Sequence, residues 1–303
     1  SAVMAGGAVP AFADVDLVSQ NLDPASVRRL VGPNTKAIIA VHLAGLPCDM
    51  ASIGEIADEF GLRIIEDCAQ AHGASIDGRR VGSFGDAASF SFCSDKILST
   101  GGEGGLVLFR DREPYQIGRS YKDHGKNFDR LADGKGLPGQ FRYVHDSLGS
   151  NYRLTEMQAA IGRRQLTKLP IWLEARRRNA AALDAELKGH PALFVAEHAH
   201  GVVHARYKYY LQLQAPSNEP VEGFRTRIIE KLIAERVPVG TGSCPDMSIE
   251  QGFAGVSVRR DGSLEAAHDL GRRSLMLPVD HTLEEDDMRV MASALLRALE
   301  SAR

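Results

Sequence analysis

Cysteine is scarce: the 303 residues hold four, Cys48, Cys68, Cys93 and Cys244. None forms a C-x-x-C pair, and Cys68 and Cys93 sit in apolar surroundings, where free thiols are common. Neither a disulfide framework nor a zinc site is expected, and a reducing cytoplasm is the expected compartment. A surplus of one charge is lacking too. Lys and Arg total 36 against 39 acidic residues, a formal charge of -3, which gives neither nucleic acid nor an anionic membrane an electrostatic handle. The run of three basic residues at 176–178 lies in a helical pattern and reads as a solvated face. No apolar stretch approaches the roughly 20 residues that span a bilayer, and no charged segment leads into an apolar one as in a signal peptide. Also absent are a G-x-G-x-x-G after a strand, a Walker A motif, H-E-x-x-H and G-x-S-x-G, so dinucleotide, nucleoside-triphosphate, zinc-protease and serine-hydrolase chemistries find no support. An initiator Met is missing as well. The chain opens Ser1-Ala2-Val3-Met4 and runs into what reads as a strand, as though it begins inside a domain.

What is present is ordinary for a globular chain: 44% apolar and 25% charged residues, with length for two domains. Residues 37–41 form a short β-rich run. Ser52 and Glu55 make a capping box for an amphipathic helix ending near Gly61, and residues 62–66 form the next strand. That is a β-α-β unit, hence parallel strands. Residues 87–92 and 105–109 read as further strands around the turn Gly101-Gly102-Glu103-Gly104-Gly105. The expected class is α/β, with a mostly parallel sheet flanked by helices. Residues 124–151, with Pro138, read as a long functional loop. A helical pattern starts near Thr155 and passes Pro170, where a break is expected. Beyond it come a strand at 207–213, a helix at 221–236 and a last helix opened by Thr282 and Glu285. The expected division is a large domain over 1–170 and a smaller C-terminal α/β domain over 171–303.

Ligands of open α/β sheets bind at the carboxyl ends of the strands. Asp67 follows the 62–66 run, and Ser91 and Lys96 lie at the end of the next. A carboxylate and an amine in one crevice suit pyridoxal 5′-phosphate (PLP): the amine takes the aldehyde, the carboxylate keeps the pyridine nitrogen protonated, and Ser91 and the glycine turn suit the phosphate. Spacing alone favours the blander reading, a surface lysine and a turn or cap aspartate. His42 reads as a strand-end residue with a structural hydrogen bond, Trp172 and the tyrosines of 207–210 as packing. His198, His200 and His204 have no carboxylate at metal-ligand spacing, so no metal is expected.

Several motifs in order change the balance. Glu66-Asp67-Cys68-Ala69-Gln70-Ala71-His72-Gly73 is followed by Gly82-Ser83-Phe84-Gly85-Asp86, Ser89-Phe90-Ser91-Phe92, Lys96 and Gly102-Glu103-Gly104-Gly105. Val41-His42-Leu43 with Gly45 precedes them; His124-Gly125 and Asn151-Tyr152-Arg153-Leu154 with Gln158-Ala159-Ala160 follow. Together they resemble the DegT/DnrJ/EryC1/StrS family of PLP-dependent sugar aminotransferases, of the aspartate-aminotransferase fold (fold type I). The resemblance covers most of residues 9–170 and continues more loosely beyond.

The resemblance implies transfer of an amino group, from a donor such as glutamate, to a keto-sugar nucleotide. The pathways it admits are amino-sugar, lipopolysaccharide or O-antigen synthesis and antibiotic sugar synthesis. It implies that Lys96 holds PLP and shuttles the proton, Asp67 pairs with the ring nitrogen, Gln70 lies near the ring hydroxyl and Ser91 binds the phosphate. Asn151 would reach the cofactor of a second subunit, making a homodimer with shared active sites. His124, Tyr152 and Arg153 fall on the sugar-nucleotide side, with loop packing as the other reading. The family also carries, ahead of the point where this chain opens, a Ser-Gly-Thr phosphate motif and a ring-stacking aromatic. Neither occurs here, so the chain reads as lacking that N-terminal segment. Two alternatives stand beside this reading: a pyridoxamine-phosphate sugar dehydratase of the same fold, a branch in which histidine replaces the lysine, and a non-catalytic regulatory homologue.

Overall fold

The computed structural model describes residues 1–135, 139–243 and 245–302; Pro138 and Cys244 lie outside them. A four-stranded sheet organises the first half, in the order Ala37–Val41, Arg63–Asp67, Ala87–Ser91, Gly105–Phe109. The first three strands run parallel and the last is antiparallel to its neighbour. Along Ala37–Val41 burial alternates, with Ile38 and Ala40 inward, as the two-residue period of a strand requires. The crossover helix Met50–Phe60 turns Met50, Ile53, Ile56 and Ala57 onto Ile38 and Ile64. Ile53 is fully buried, worth on the order of 2 kcal/mol against exposure. Its start corrects the expected capping box: Asp49 is the cap, accepting from Ser52 N–H at 3.0 Å, while the Ser52 hydroxyl donates back to Asp49. An aspartate one turn ahead outcompetes the serine because it offers an acceptor to the same free N–H groups. Gly61, in the left-handed region, ends the helix as expected. The next strand runs one residue later than expected, so Asp67 is its last residue.

The long helical pattern divides at Thr167 and Lys168 into Glu156–Leu166 and Leu169–Leu187. Pro170 stands in the first turn of the second helix, where no N–H partner is lost. Three antiparallel strands, Ser274–Leu277, Tyr209–Leu213 and Leu193–Phe194, then pack against helices Leu169–Leu187, Val221–Ala234 and Glu285–Ala302. The last helix starts at Glu285, and Glu284 N–H donates to Asp287 at 2.9 Å. Thr282 therefore sits too far ahead to cap it.

A third apolar cluster joins the halves. Cys68, Ala71, Ala74, Ala88 and Ile97 pack with Leu173, Ala205 and Tyr207. Gly73 permits this approach, since its φ is +82° and a Cβ there would run into Leu173. The 123–151 loop folds back on itself through bridges Asp123–Asn151 and Lys126–His145, with a short helix Phe128–Ala132 inside it.

Candidate active site

Asp67 and Ser91 stand at the carboxyl ends of adjacent parallel strands. Asp67 is in register with Ser89, and Ser91 lies two residues further along that strand. Past it the chain turns, with Lys96 N–H on the Cys93 carbonyl at 3.0 Å, and brings the Lys96 side chain back, 16% exposed. Its Nζ is 3.1 Å from Asp95 Oδ2 and 5.3 Å from the Tyr207 ring centre. Asp67 Oδ1 accepts from Ala69 N–H at 3.0 Å, which leaves Oδ2 to take a further donor. Ser91 Oγ accepts from Cys93 N–H at 3.3 Å and keeps its own proton to donate. Gln70 Oε1 accepts from Ala44 N–H at 2.7 Å, and Nε2 donates to Ser243 Oγ at 3.3 Å. Ser243 N–H in turn donates to Tyr210 Oη at 2.9 Å, so a residue from the second half closes over Gln70.

His124, Asn151, Tyr152 and Arg153 form a separate cluster. His124 N–H donates to Ser150 O at 3.1 Å, and Arg153 Nη1 pairs with Asp123 at 2.9 Å. Tyr152 is 67% exposed, beside Tyr121. Among the described residues no hydrogen bond or ion pair ties this cluster to Lys96, Asp67 or Ser91. In the helix that follows, Gln158 Nε2 donates to Glu103 O at 2.8 Å in the glycine-rich turn.

Behind this edge lies a buried anchor that motif spacing did not single out. Both Glu66 oxygens are saturated: Phe84 and Gly85 N–H donate to Oε1 at 2.7 and 2.6 Å, Gly82 N–H to Oε2 at 2.7 Å, and His42 Nε2 lies 3.1 Å from Oε2. Burial alone would raise the Glu66 pKa, but these donors outweigh it and hold it below the usual value. His42 Nδ1 accepts from Cys48 N–H at 3.0 Å, which fixes the tautomer with its proton on Nε2. Cys68 lies beside both, and burial pushes its thiol up. Glu66 pins residues 82–85 under the strand that ends in Asp67, and His42 holds Glu66 and Cys48 N–H, a structural role. The neighbouring serine and glycines in 82–85 were the available signal: successive free N–H groups ask for a carboxylate.

His72, five residues after Asp67, makes no hydrogen bond to it. It is buried with its ring beside Phe90 and Phe92, and neither ring nitrogen finds a hydrogen-bond partner. Burial lowers its pKa to about 4, with the Ser91 backbone pulling the other way and Lys96 and Arg176 adding to the fall. Trp172 packs as expected, stacked on His281 at 4.3 Å. Tyr207 is not packing alone, since its hydroxyl donates to Asp95 at 2.7 Å. The His198 ring meets His204 edge-on at 5.1 Å. Burial lowers both, and His204 Nδ1 accepts from Arg206 N–H at 2.9 Å, which is core packing.

An amine, a carboxylate, a hydroxyl and an amide at the carboxyl edge of a parallel sheet, with a second unit packed over them, define a PLP-dependent transferase of fold type I. The comparisons carry this to a family. The DegT/DnrJ/EryC1/StrS aminotransferase family model matches residues 1–295, and the chain belongs to that family. It is 36% identical to a UDP-N-acetyl-3-dehydro-alpha-D-glucosamine 3-aminotransferase of Acidithiobacillus ferrooxidans, over 98% of this chain and 74% of that protein. It is 32% identical to a pleiotropic regulatory protein of Geobacillus stearothermophilus, over 95% of this chain and 72% of that one. It superimposes on an aminotransferase from Psychrobacter cryohalolentis with a TM-score of 0.92 at 38% identity, over 99% of this chain and 78% of that one. The resemblance read from the motifs, the fold class and the aminotransferase class of activity are borne out. No helix among the described residues is long and apolar enough to cross a membrane.

Proposed function

We propose that this protein transfers an amino group, with glutamate as donor, to a keto carbon of a nucleotide-linked sugar, using PLP held at the Lys96 edge. The observation that carries this reading is that Asp67 and Ser91 stand at the carboxyl ends of two hydrogen-bonded parallel strands, with Lys96 in the turn that follows the second. The donor set fits the cofactor. Asp67 has an oxygen to spare, the Ser91 proton is available, and Gln70 is clamped between Ala44 and Ser243. Asp67 would face the ring nitrogen, Gln70 the ring hydroxyl and Ser91 the phosphate. When bound, PLP supplies an aldehyde for amines and a ring that accepts the electron pair left at the reacting carbon.

The protein's own part is positioning and proton transfer. The Asp67 carboxylate keeps a proton on the ring nitrogen. Lys96 Nζ would be the base that takes the proton from the donor's α-carbon and the acid that delivers it to the carbon on the far side of the nitrogen. The Ser91 hydroxyl and nearby backbone N–H groups hold the phosphate, so the ring cannot slide. His124, Tyr152 and Arg153 face the sugar nucleotide. Asn151 reaches the site of a second copy, and the protein works as a homodimer. The division at residue 170, a cytoplasmic location and a role in amino-sugar or lipopolysaccharide synthesis belong to the same reading. Separate apolar cores on the two sides support the division.

The test uses the protein at its natural length, with Lys96→Ala as control. Added PLP is expected to give a visible absorption band that borohydride fixes onto Lys96, absent in the variant. No band would overturn the enzyme reading and leave a fold shared with the regulatory relative. Retained turnover in Lys96→Ala would remove Lys96 from the mechanism.

A further inference from the structure

Asp95 stands between Lys96 and the second half of the chain. Its Oδ2 accepts the Tyr207 hydroxyl at 2.7 Å and lies 3.1 Å from Lys96 Nζ, so one oxygen joins both groups. Adjacent strand residues point to opposite faces. These two side chains converge because they follow the strand, in the turn that Lys96 N–H closes on Cys93. Burial would lift the Asp95 carboxyl, but hydrogen bonds from Tyr207, Lys96 and Cys93 outweigh it and hold it at about 2. It is a carboxylate throughout the neutral range. Burial first, then the bond to Asp95, pushes the Tyr207 hydroxyl well above its usual value, so it donates as a neutral phenol.

The anchor is stiff. Arg176, 1% exposed, donates to the Tyr207 carbonyl at 3.0 Å and pairs with Asp280 at 2.7 Å. Lys96, by contrast, ends a chain of four rotatable bonds, and without a partner its amine would wander. The Asp95 carboxylate and the Tyr207 ring face both attract the amine. Charged or titratable groups around the pair include Cys93, with Sγ 3.2 Å from Glu103, Lys208, 5.3 Å from the Tyr207 ring, Tyr210 and Asp280, and the buried neutral His72.

We propose that Asp95 is a positioning residue for Lys96: its carboxylate, held by Tyr207, fixes where the lysine amine stands at the sheet edge and keeps a negative charge beside it. The proposal rests on Lys96 being the cofactor-holding amine. It ties that amine, through one side chain, to the unit that packs over the site.

The experiment has two arms on Asp95→Asn, which keeps an oxygen for the Tyr207 hydroxyl and drops the charge. In the cofactor-free protein, acylation of Lys96 by limiting acetic anhydride is quantified by mass spectrometry against the other lysines. It is expected to rise about 3- to 10-fold, the scale of an ion pair partly in water, with little change in melting temperature. With PLP bound, the pH midpoint of the visible band is expected to move down, because the substitution removes a negative charge 3.1 Å from Nζ. Tyr207→Phe, which leaves the charge but frees it, should give a smaller change in the same direction, and it carries the test if Asp95→Asn fails to fold. Unchanged Lys96 acylation in a folded variant overturns the proposal whatever PLP does. Raised acylation without any visible band upholds the Asp95 contact and instead refutes the cofactor reading on which its purpose rests.

Discussion

At the residue scale, Asp67 and His72 make separate demands. Asp67 is the last residue of its strand, with one oxygen committed to Ala69. If Asp67 faces the ring nitrogen as proposed, Asp67→Ala is expected to slow turnover by about 100-fold or more, the scale of a charge stabilised only in the transition state. Steady-state kinetics with kcat separated from KM would check it, and a near-normal kcat would reduce Asp67 to a turn residue. His72 is buried and neutral, with a folded pKa of about 4 against about 6.5 when unfolded. Between these values the unfolded chain binds more protons, so stability is full above about pH 6.5 and falls as pH drops toward 4. This one residue is expected to contribute on the order of 2–3 kcal/mol to that fall. Denaturant midpoints across that range should show a shallower decline in His72→Leu than in the parent.

At the element scale, the 123–151 loop is held by its own backbone rather than by a core. Gly125 has φ +79°, and its N–H and carbonyl bond to Ser120 and Asp146. A Cβ there would run into the Ser147 backbone. Gly125→Ala therefore meets both strain and a clash, and is expected to cost about 2–3 kcal/mol of local stability. Faster hydrogen exchange confined to the loop, with the four-stranded sheet unaffected, is the expected signature. Slow exchange in the loop would show that it is braced elsewhere. The sheet element behaves differently. Its strand ends are pinned by Glu66, and its crossover helix ends in Gly61, so Asp67 and Ser91 sit on rigid backbone.

At the scale of the whole molecule, the proposed site draws on both halves. Ser243 and Tyr210 close over Gln70, and Tyr207 reaches Asp95. Asn151, Tyr152 and Arg153 stay in their own cluster, exposed and unbonded to Lys96. That separation within one chain is what a shared site requires. If Asn151 serves a second copy, mixed dimers of Lys96→Ala with Asn151→Ala should recover up to about half of the parent activity, because one of the two sites keeps both residues intact. Each variant alone should be inactive or weak. Verified heterodimers without recovery would place Asn151 in its own subunit's loop.

The sequence by itself determined the crossover unit, the strand ends and the ordered motifs, because these are written in short-range signals. They are the continuous β-rich apolar run Ala37–Val41, the 3.6-residue face of Met50–Phe60, and the glycine that ends that helix. The motifs placed Asp67, Ser91 and Lys96 on consecutive segments, and parallel pairing then had to bring them to one edge. Caps were less legible, since Asp49 and Ser52 compete for the same N–H groups and only the folded turn decides between them. What the tertiary structure alone decided is who faces whom across more than a hundred residues. Tyr207 reading as a packing residue and then bonding to Asp95, and Ser243 closing on Gln70, both depend on how two units dock. No local period encodes that docking. It follows from burying Leu173 and Tyr207 against Cys68, Ala71 and Ile97, a contact that exists only once both halves have formed.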